Sequence, residues 1–403
     1  MTEAHDETGE RTARIGYTGQ SSRRDFLKMS AVAAGIAPNI GLVSGTNNGD
    51  EIKYPKYFVH TNHEEVKKGA PPIKEPYFDT MSETEWGKIH TARVGSNKTW
   101  DIIRSNVEKP IKGIFVEVRT LNEKYDKEIV VDYRRTDGET EPNVPYEKLV
   151  SVLPEEIEGE ASPGQTKQTF VDTFTMRVEK TEFSYDDCSG DHYDSSYGTD
   201  IPGACEISPG SGRCTSASPA YNHNLSDTVL LSAGHCFSTN DYMYQPVGSQ
   251  TKNGDCIESY DCAAQDFCEI KAKNGANFQY SFSDDSGGYE GDIVGTHSWT
   301  SIQNMEQNSD SITKRGATTG GHVGYVDSTG TGSCDGSRYF NVDDVESKGG
   351  DSGGPHFTAN IGIEDFDITI AGIHSGSFPG TCPDTKANAK YIGDAEGYLN
   401  VSV

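Results

Sequence analysis

Three residue types in the second half of the chain are suited to nucleophilic chemistry: a histidine, an aspartate and a serine, in that order. His235 closes the apolar, β-branched run TVLLSAGHCF (228–237). A strand ending there would set the imidazole on a rigid rim, which suits a general base. Asp266 opens QDFCEIKA (265–272), whose alternating character reads as a short strand. Asp255 and Asp261 lie nearby, but neither leads into a strand. Ser352 sits in KGGDSGGPHF (348–357), where a preceding aspartate and two following glycines suit a hydroxyl presented on a tight turn. A second stretch of similar look, DDSGGYEG (284–291), surrounds Ser286.

These motifs resemble those of the chymotrypsin-like serine proteases. Ser232-Ala233-Gly234-His235-Cys236 is similar to the family's histidine motif, with Ser where threonine is usual. GGDSGGP (349–355) has every element of its serine motif, and the order His235, Asp266, Ser352 is the family's order. DDSGG lacks the glycine before the aspartate and the proline after the glycines, so Ser286 reads as part of a polar turn. ITKRGATTGGHVGYV (312–326) resembles a strand pair of streptogrisin-type bacterial members, with Lys314 or Arg315 as the basic residue. The resemblance covers roughly residues 200–403. It implies an all-β fold, a chymotrypsin-like double antiparallel β-barrel with the three residues in the cleft. It also implies a Ser-His-Asp triad that cuts peptide bonds through an acyl-enzyme, with the N–H groups of Gly350 and Ser352 as the oxyanion hole. The family's bridge after the histidine would join Cys214 to Cys236. Asp351 would stabilise the turn, and Gly353 and Gly354 would allow close packing beneath it.

The same resemblance bears on the substrate. IAGIHSGSFPGTC (370–382) is similar to one wall of the primary pocket, formed by Ser375, Gly376 and Ser377. His374 before them resembles the glutamyl endopeptidases, in which an imidazole meets an acidic side chain. Glu346 stands where trypsin-like members place an acid that selects Lys or Arg, and Lys348 is close enough in sequence to neutralise it. The preferred reading is an acidic P1 residue. Many members need a freed N-terminus to pair with the residue at Asp351; Ile201 is the one on offer, without the usual residues after it.

The whole chain must carry and deliver this site. It has 403 residues, 33% of them apolar, and 44 glycines, which suits a loop-rich β protein. The formal charge of −27 leaves no basic surface for nucleic acid, and a saline habitat would screen it. Nine cysteines, all beyond residue 187, read as disulfides of an exported domain rather than a metal site; Cys334 and Cys382 are one further pairing. SSRRDFLK (21–28) before a short, weakly apolar run resembles a twin-arginine export signal, a basic tail being the plainer alternative. No stretch is long and apolar enough for a membrane anchor. Residues 46–185 read as a small α+β region, with strands near 111–120, 127–135 and 173–183 and a short helix within 146–157. It is either an inhibitory pro-region or a retained accessory domain. YDDCSGDHYDSSYGTD (185–200) would then be a solvated acidic linker. The expected divisions are 1–45, 46–185 and 186–403. The expected protein is an extracellular monomer acting on proteins or peptides, without cofactor or metal. The rival reading is a secreted binding protein that kept the barrels and lost catalysis.

Overall fold

The computed structural model describes residues 44–45, 51–107, 114–121, 126–136, 144–163, 169–183, 195–262, 265–284, 288–332, 336–361, 366–377 and 384–403. The arginine pair near the start, the acidic run at 184–194, Ser286, Cys334 and Cys382 lie outside them.

The N-terminal region opens with the hairpin β1 (Glu51–His60) and β2 (Lys74–Ser82), followed by helix α1 (Glu83–Asn106). This helix is started by a capping box: the Ser82 hydroxyl accepts from the Glu85 N–H while the Glu85 carboxylate accepts from the Ser82 N–H. The pair Ser82-x-x-Glu85 was visible in the sequence and marks the one long helix that the periodicity reading passed over. β3 (Ile114–Leu121), β4 (Asp126–Thr136), the short helix α2 (Tyr146–Val152), β5 (Glu156–Ala161) and β6 (Phe170–Phe183) complete the region. Their apolar faces close on α1 through Trp100, Ile103, Val116, Ile129, Val131 and Phe174.

The first half of the C-terminal region is a six-stranded antiparallel unit. β7 (Pro219–Asn222), β8 (Asp227–Ser232), β9 (Tyr242–Tyr244), β10 (Lys252–Cys262) and β11 (Gln265–Ala272) run in the order β9-β10-β11-β8-β7. A short closing strand, Val401–Ser402, joins β7. After β12 (Tyr289–His297) and α3 (Trp299–Asn308), six more strands follow: β13 (Ser311–Gly316), β14 (Gly320–Gly332), β15 (Arg338–Ser347), β16 (Pro355–Ile361), β17 (Phe366–Ser377) and β18 (Asp384–Tyr391). They pair antiparallel as β13-β14-β15-β18-β17-β16 and back to β13, which closes a barrel. Closure leaves no barrel edge unpaired. The fold is therefore all-β, two antiparallel β units preceded by an α+β region.

Two ladders continue the sheet into the N-terminal region: β1 pairs with β12, and β3 pairs with the far half of β14. Among the described residues no helix is long and apolar enough to cross a membrane.

One carboxyl of the first unit makes a pH-dependent prediction. Glu269 on β11 is 3% exposed, lies opposite Glu258 and accepts from the Asn222 amide at 2.8 Å. Burial, helped by Glu258 and opposed by Asn222, pushes its pKa up to about 6. The folded state then holds a proton that the unfolded chain releases, so stability falls as pH rises from the ordinary carboxyl range through that value. Glu269→Gln keeps an acceptor for Asn222 and is expected to gain on the order of 2 kcal/mol over the parent at neutral pH. Thermal unfolding against pH tests it: parallel curves for parent and variant would contradict the expectation.

Candidate active site

His235 lies in the one-turn 3-10 segment Gly234–Cys236, directly after β8, with 13% of its side chain exposed. Two bonds from one carboxylate fix it. Asp266 Oδ1 accepts the His235 main-chain N–H at 2.8 Å, and Asp266 Oδ2 lies 2.8 Å from ring Nδ1. Asp266 can do this because it is the second residue of β11, whose partner β8 ends just before the histidine: Ser232 lies opposite Cys268. Asp266 is completely buried. Burial raises its pKa, but the His235 ring, Lys390 and the Ser375 hydroxyl outweigh that and hold it below the usual carboxylate range. Asp261 faces Asp266 across the β10–β11 ladder, and Asp255 is bound to Lys273.

The Ser375 hydroxyl donates to Asp266 Oδ2 at 2.5 Å, a contact the sequence reading did not assign. The cause is a bulge: β17 shifts register against β18 between His374 and Gly376, which re-aims the intervening side chain.

Ser352 is 4% exposed, on the loop between β15 and β16. The loop is held from both sides. Thr215 N–H donates to the Ser352 carbonyl at 2.7 Å, and the Thr215 hydroxyl donates to the Gly350 carbonyl at 2.7 Å. Gly353 N–H donates to the His374 carbonyl at 2.8 Å, and His374 N–H to the Gly354 carbonyl at 2.7 Å. Cys214 and Cys236 form a disulfide. The Cys236 sulfur lies 4.0 Å from His235 Nε2 and 3.7 Å from the Ser352 carbonyl oxygen, so one bridge abuts both halves of the site.

Two glycines are required by geometry. Gly350 has φ +102°, and a Cβ there would fall 2.4 Å from Thr318 Oγ1. Gly353 has φ +91°, and its Cβ would fall 2.2 Å from both Ser232 Oγ and the Thr215 carbonyl. Gly353→Ala is expected to destabilise by about 1–3 kcal/mol through overpacking and to dislodge the loop. A thermal midpoint equal to the parent's would refute this.

Asp351, between these glycines and fully buried, organises the loop. Its Oδ1 accepts from the N–H groups of Thr318 (2.9 Å) and Thr319 (3.1 Å). Its Oδ2 accepts from the Lys348 N–H (3.1 Å), the Thr319 hydroxyl (2.7 Å) and Lys314 Nζ (2.5 Å). Neither Lys314 nor Asp351 has exposed side-chain surface. The ammonium sought at a freed Ile201 is therefore supplied internally by Lys314, while Ile201 is buried on its own strand.

His374 is fully buried, its Nε2 2.9 Å from the Ser347 hydroxyl and its Nδ1 3.2 Å from His356 Nε2. The two rings stack with centroids 5.4 Å apart. Ser377 is buried as well, at the end of β17. The Glu346 carboxylate is bound to Lys348 Nζ at 2.7 Å and lies 3.7 Å from His322. Lys314, Thr215, Ser347 and His356 are the contributors that the motif reading did not assign. His356 stood in plain view two residues beyond Gly354, but only the folded β16–β17 ladder brings it beside His374.

No protein-family model matches this sequence, and no curated protein matches it. Solved structures do resemble it. Thermobifida fusca protease A is 21% identical, with a TM-score of 0.39 over 50% of this chain and 97% of that one. A glutamic-acid-specific serine protease, described as using a histidine triad in substrate binding, is 22% identical, with a TM-score of 0.39 over 50% and 100%. Cellulomonas bogoriensis chymotrypsin is 18% identical, with a TM-score of 0.36 over 51% and 98%. These superpositions are loose, so the chemistry of the site rests on the geometry of the chain itself.

Proposed function

We propose that the chain is a serine endopeptidase. Ser352 is the nucleophile, His235 the general base and acid, and Asp266 the group that orients His235. His235 Nε2 removes the Ser352 hydroxyl proton as Oγ attacks the substrate carbonyl carbon. The N–H groups of Gly350 and Ser352 take the resulting oxyanion. His235 then returns the proton to the leaving amine, the C–N bond breaks, and an acyl-enzyme remains. Water, deprotonated by the same ring, releases the acid. The observation that carries the reading is the Asp266 carboxylate. It takes both the main-chain N–H and ring Nδ1 of His235, which fixes the tautomer in which Nε2 can accept a proton.

The pocket in this reading is His374, Ser375, Gly376 and Ser377, and an acidic P1 side chain suits it. The objection from Glu346 weakens because Lys348 already binds that carboxylate. Ser375 contributes its main chain to the substrate strand, its hydroxyl being committed to Asp266. The enzyme works outside the cytoplasm, where a Cys214–Cys236 bridge persists.

Active-site labelling tests the proposal. The full chain, purified in high salt, is treated with a fluorophosphonate and mapped by peptide. The expected label is on Ser352, and it disappears in His235→Ala. An unlabelled Ser352, in a chain that gives a cooperative unfolding transition, would sink the peptidase reading.

A further inference from the structure

Two thiols that the proposed chemistry does not use lie on the buried side of the strand that carries Asp266. Cys256 on β10 and Cys268 on β11 are 1% and 0% exposed and belong to one apolar cluster with Leu230, Ala233, Met243 and Ile270. Cys268 stands two residues beyond Asp266. Its Sγ donates to the carbonyl of Ala233, two residues before His235, at 3.3 Å. Cys256 Sγ donates to the Glu258 carbonyl at 3.5 Å. Both are thiols in this structure, although the same cluster holds the Cys214–Cys236 disulfide.

The strand register brings the two sulfurs together. Cys256 lies opposite Ile270, and Cys268 lies opposite Ser259. Ile270 and Cys268 are two apart on β11 and share its buried face, so Cys256 and Cys268 are diagonal neighbours on that face. A regular diagonal pair stands ~7 Å apart, whereas a disulfide needs Cβ atoms at roughly 4 Å. β10 is not regular here. Its register shifts between Cys256 and Glu258, with Ile257 as the extra residue. Such a bulge bends its strand and tightens the local twist, which lets a diagonal pair close up. The Cys256 and Cys268 side chains are accordingly in hydrogen-bond contact.

We propose that in an oxidising compartment Cys256 and Cys268 are joined as a further disulfide of the first β unit. The oxidant is another disulfide, a small molecule or an exchange protein. One thiolate attacks it, forms a mixed disulfide and releases one thiol. The second thiolate attacks the mixed disulfide and releases the other. The pair gives up two protons and two electrons, and the oxidant becomes two thiols. Burial, with the Cys256 neighbour, holds the Cys268 thiol well above its usual pKa. The closed chain therefore reacts slowly, and the bond forms while β10 and β11 are assembling or briefly apart. Little is lost on closure, because each S–H given up is a weak donor. The gain is a covalent tie across the bulge, beside the strand end that positions Asp266.

The other free thiol among the described residues, Cys205, serves as an internal reference. It is buried, with its Sγ 3.3 Å from the Pro202 carbonyl and 3.4 Å from the Ser216 hydroxyl. The test uses the full chain with Ser352→Ala, refolded in a buffer of reduced and oxidised glutathione. It is quenched with acid, denatured, alkylated and mapped by mass spectrometry without reduction. The expected map shows Cys256 and Cys268 in one linked pair, two hydrogens lighter than the two thiol peptides together, and neither alkylated. Cys205 should be alkylated and Cys214–Cys236 linked. Cys268→Ala should return Cys256 to full alkylation and leave the Cys214–Cys236 link in place. Alkylation of both Cys256 and Cys268 in a chain that unfolds cooperatively, or a bond from either to any other cysteine, overturns the proposal. No readout here is an activity, so the result stands whether or not the peptidase reading does.

Discussion

Replacing Asp266 with asparagine is expected to lower kcat/KM by about 10⁴ while leaving the fold in place. The size follows from which atoms the carboxylate serves. Oδ1 accepts the His235 main-chain N–H and Oδ2 faces ring Nδ1. An asparagine has one acceptor oxygen, and the main-chain N–H holds it. The amide NH₂ is then left facing Nδ1. Nδ1 must become the acceptor, the ring proton moves to Nε2, and the imidazole can no longer take a proton from Ser352. The volume is unchanged, and the Ser375 hydroxyl can turn its lone pair to the new N–H. Ester hydrolysis by the parent and the variant, alongside thermal unfolding, measures both halves. A loss below about tenfold with an intact fold would mean that Asp266 does not set the tautomer and that another group orients His235. Asp266→Ala is the useful contrast. It removes the acceptor altogether and leaves the His235 N–H unmet in a buried place, so that variant should lose stability as well as rate.

How far the site could be read before folding depends on whether a contact is local. His235 and Asp266 stand out in the sequence because each lies at a strand end with a distinctive neighbour set, and Ser352 because glycines flank it on a loop. Cys214–Cys236 followed from the resemblance. Asp351 was legible as a turn residue, and the stretch at 312–326 singled out Lys314 or Arg315 as its basic residue without pairing either with Asp351. The choice between those two needs the strand pleat. Side chains alternate faces, so Lys314 points inward to Asp351 while Arg315 binds Glu290. Ser375 needed a register shift that no pattern of residue types announces. The N-terminal region was read as three strands and a short helix; β3, β4, β6 and α2 fall near those positions, while β1, β2 and β5 were not read. α1 escaped because glycine, threonine and charges dilute its apolar stripe, although its capping box was present. That its strands continue the sheet of the second barrel could not be read at all: the partners in β3 and β14 are more than 200 residues apart.

The second large effect is expected at Lys314. Lys314→Met should destabilise the chain by about 3–5 kcal/mol, because it leaves a fully buried Asp351 charge without its cation. Lys314→Arg should recover part of this, since a guanidinium keeps the charge but must fit a space shaped for an ammonium that also reaches the Glu346 carbonyl and the Thr319 hydroxyl. Salt separates this pair from the rest of the molecule's electrostatics. The formal charge of −27 makes the surface self-repelling, so the parent should gain stability as salt rises. The Lys314–Asp351 contact has no exposed side-chain surface, so the gap between parent and variant should be the same in dilute buffer as in several-molar salt. Denaturant unfolding at both extremes measures it, and a gap that closes at high salt would mean that water reaches the pair. The same contact bears on activation. Asp351 orders the loop that carries Gly350 and Ser352, and its countercharge comes from within β13. A cut before Ile201 therefore supplies nothing that the loop lacks, and the uncut chain should already hold Ser352 in its reactive setting.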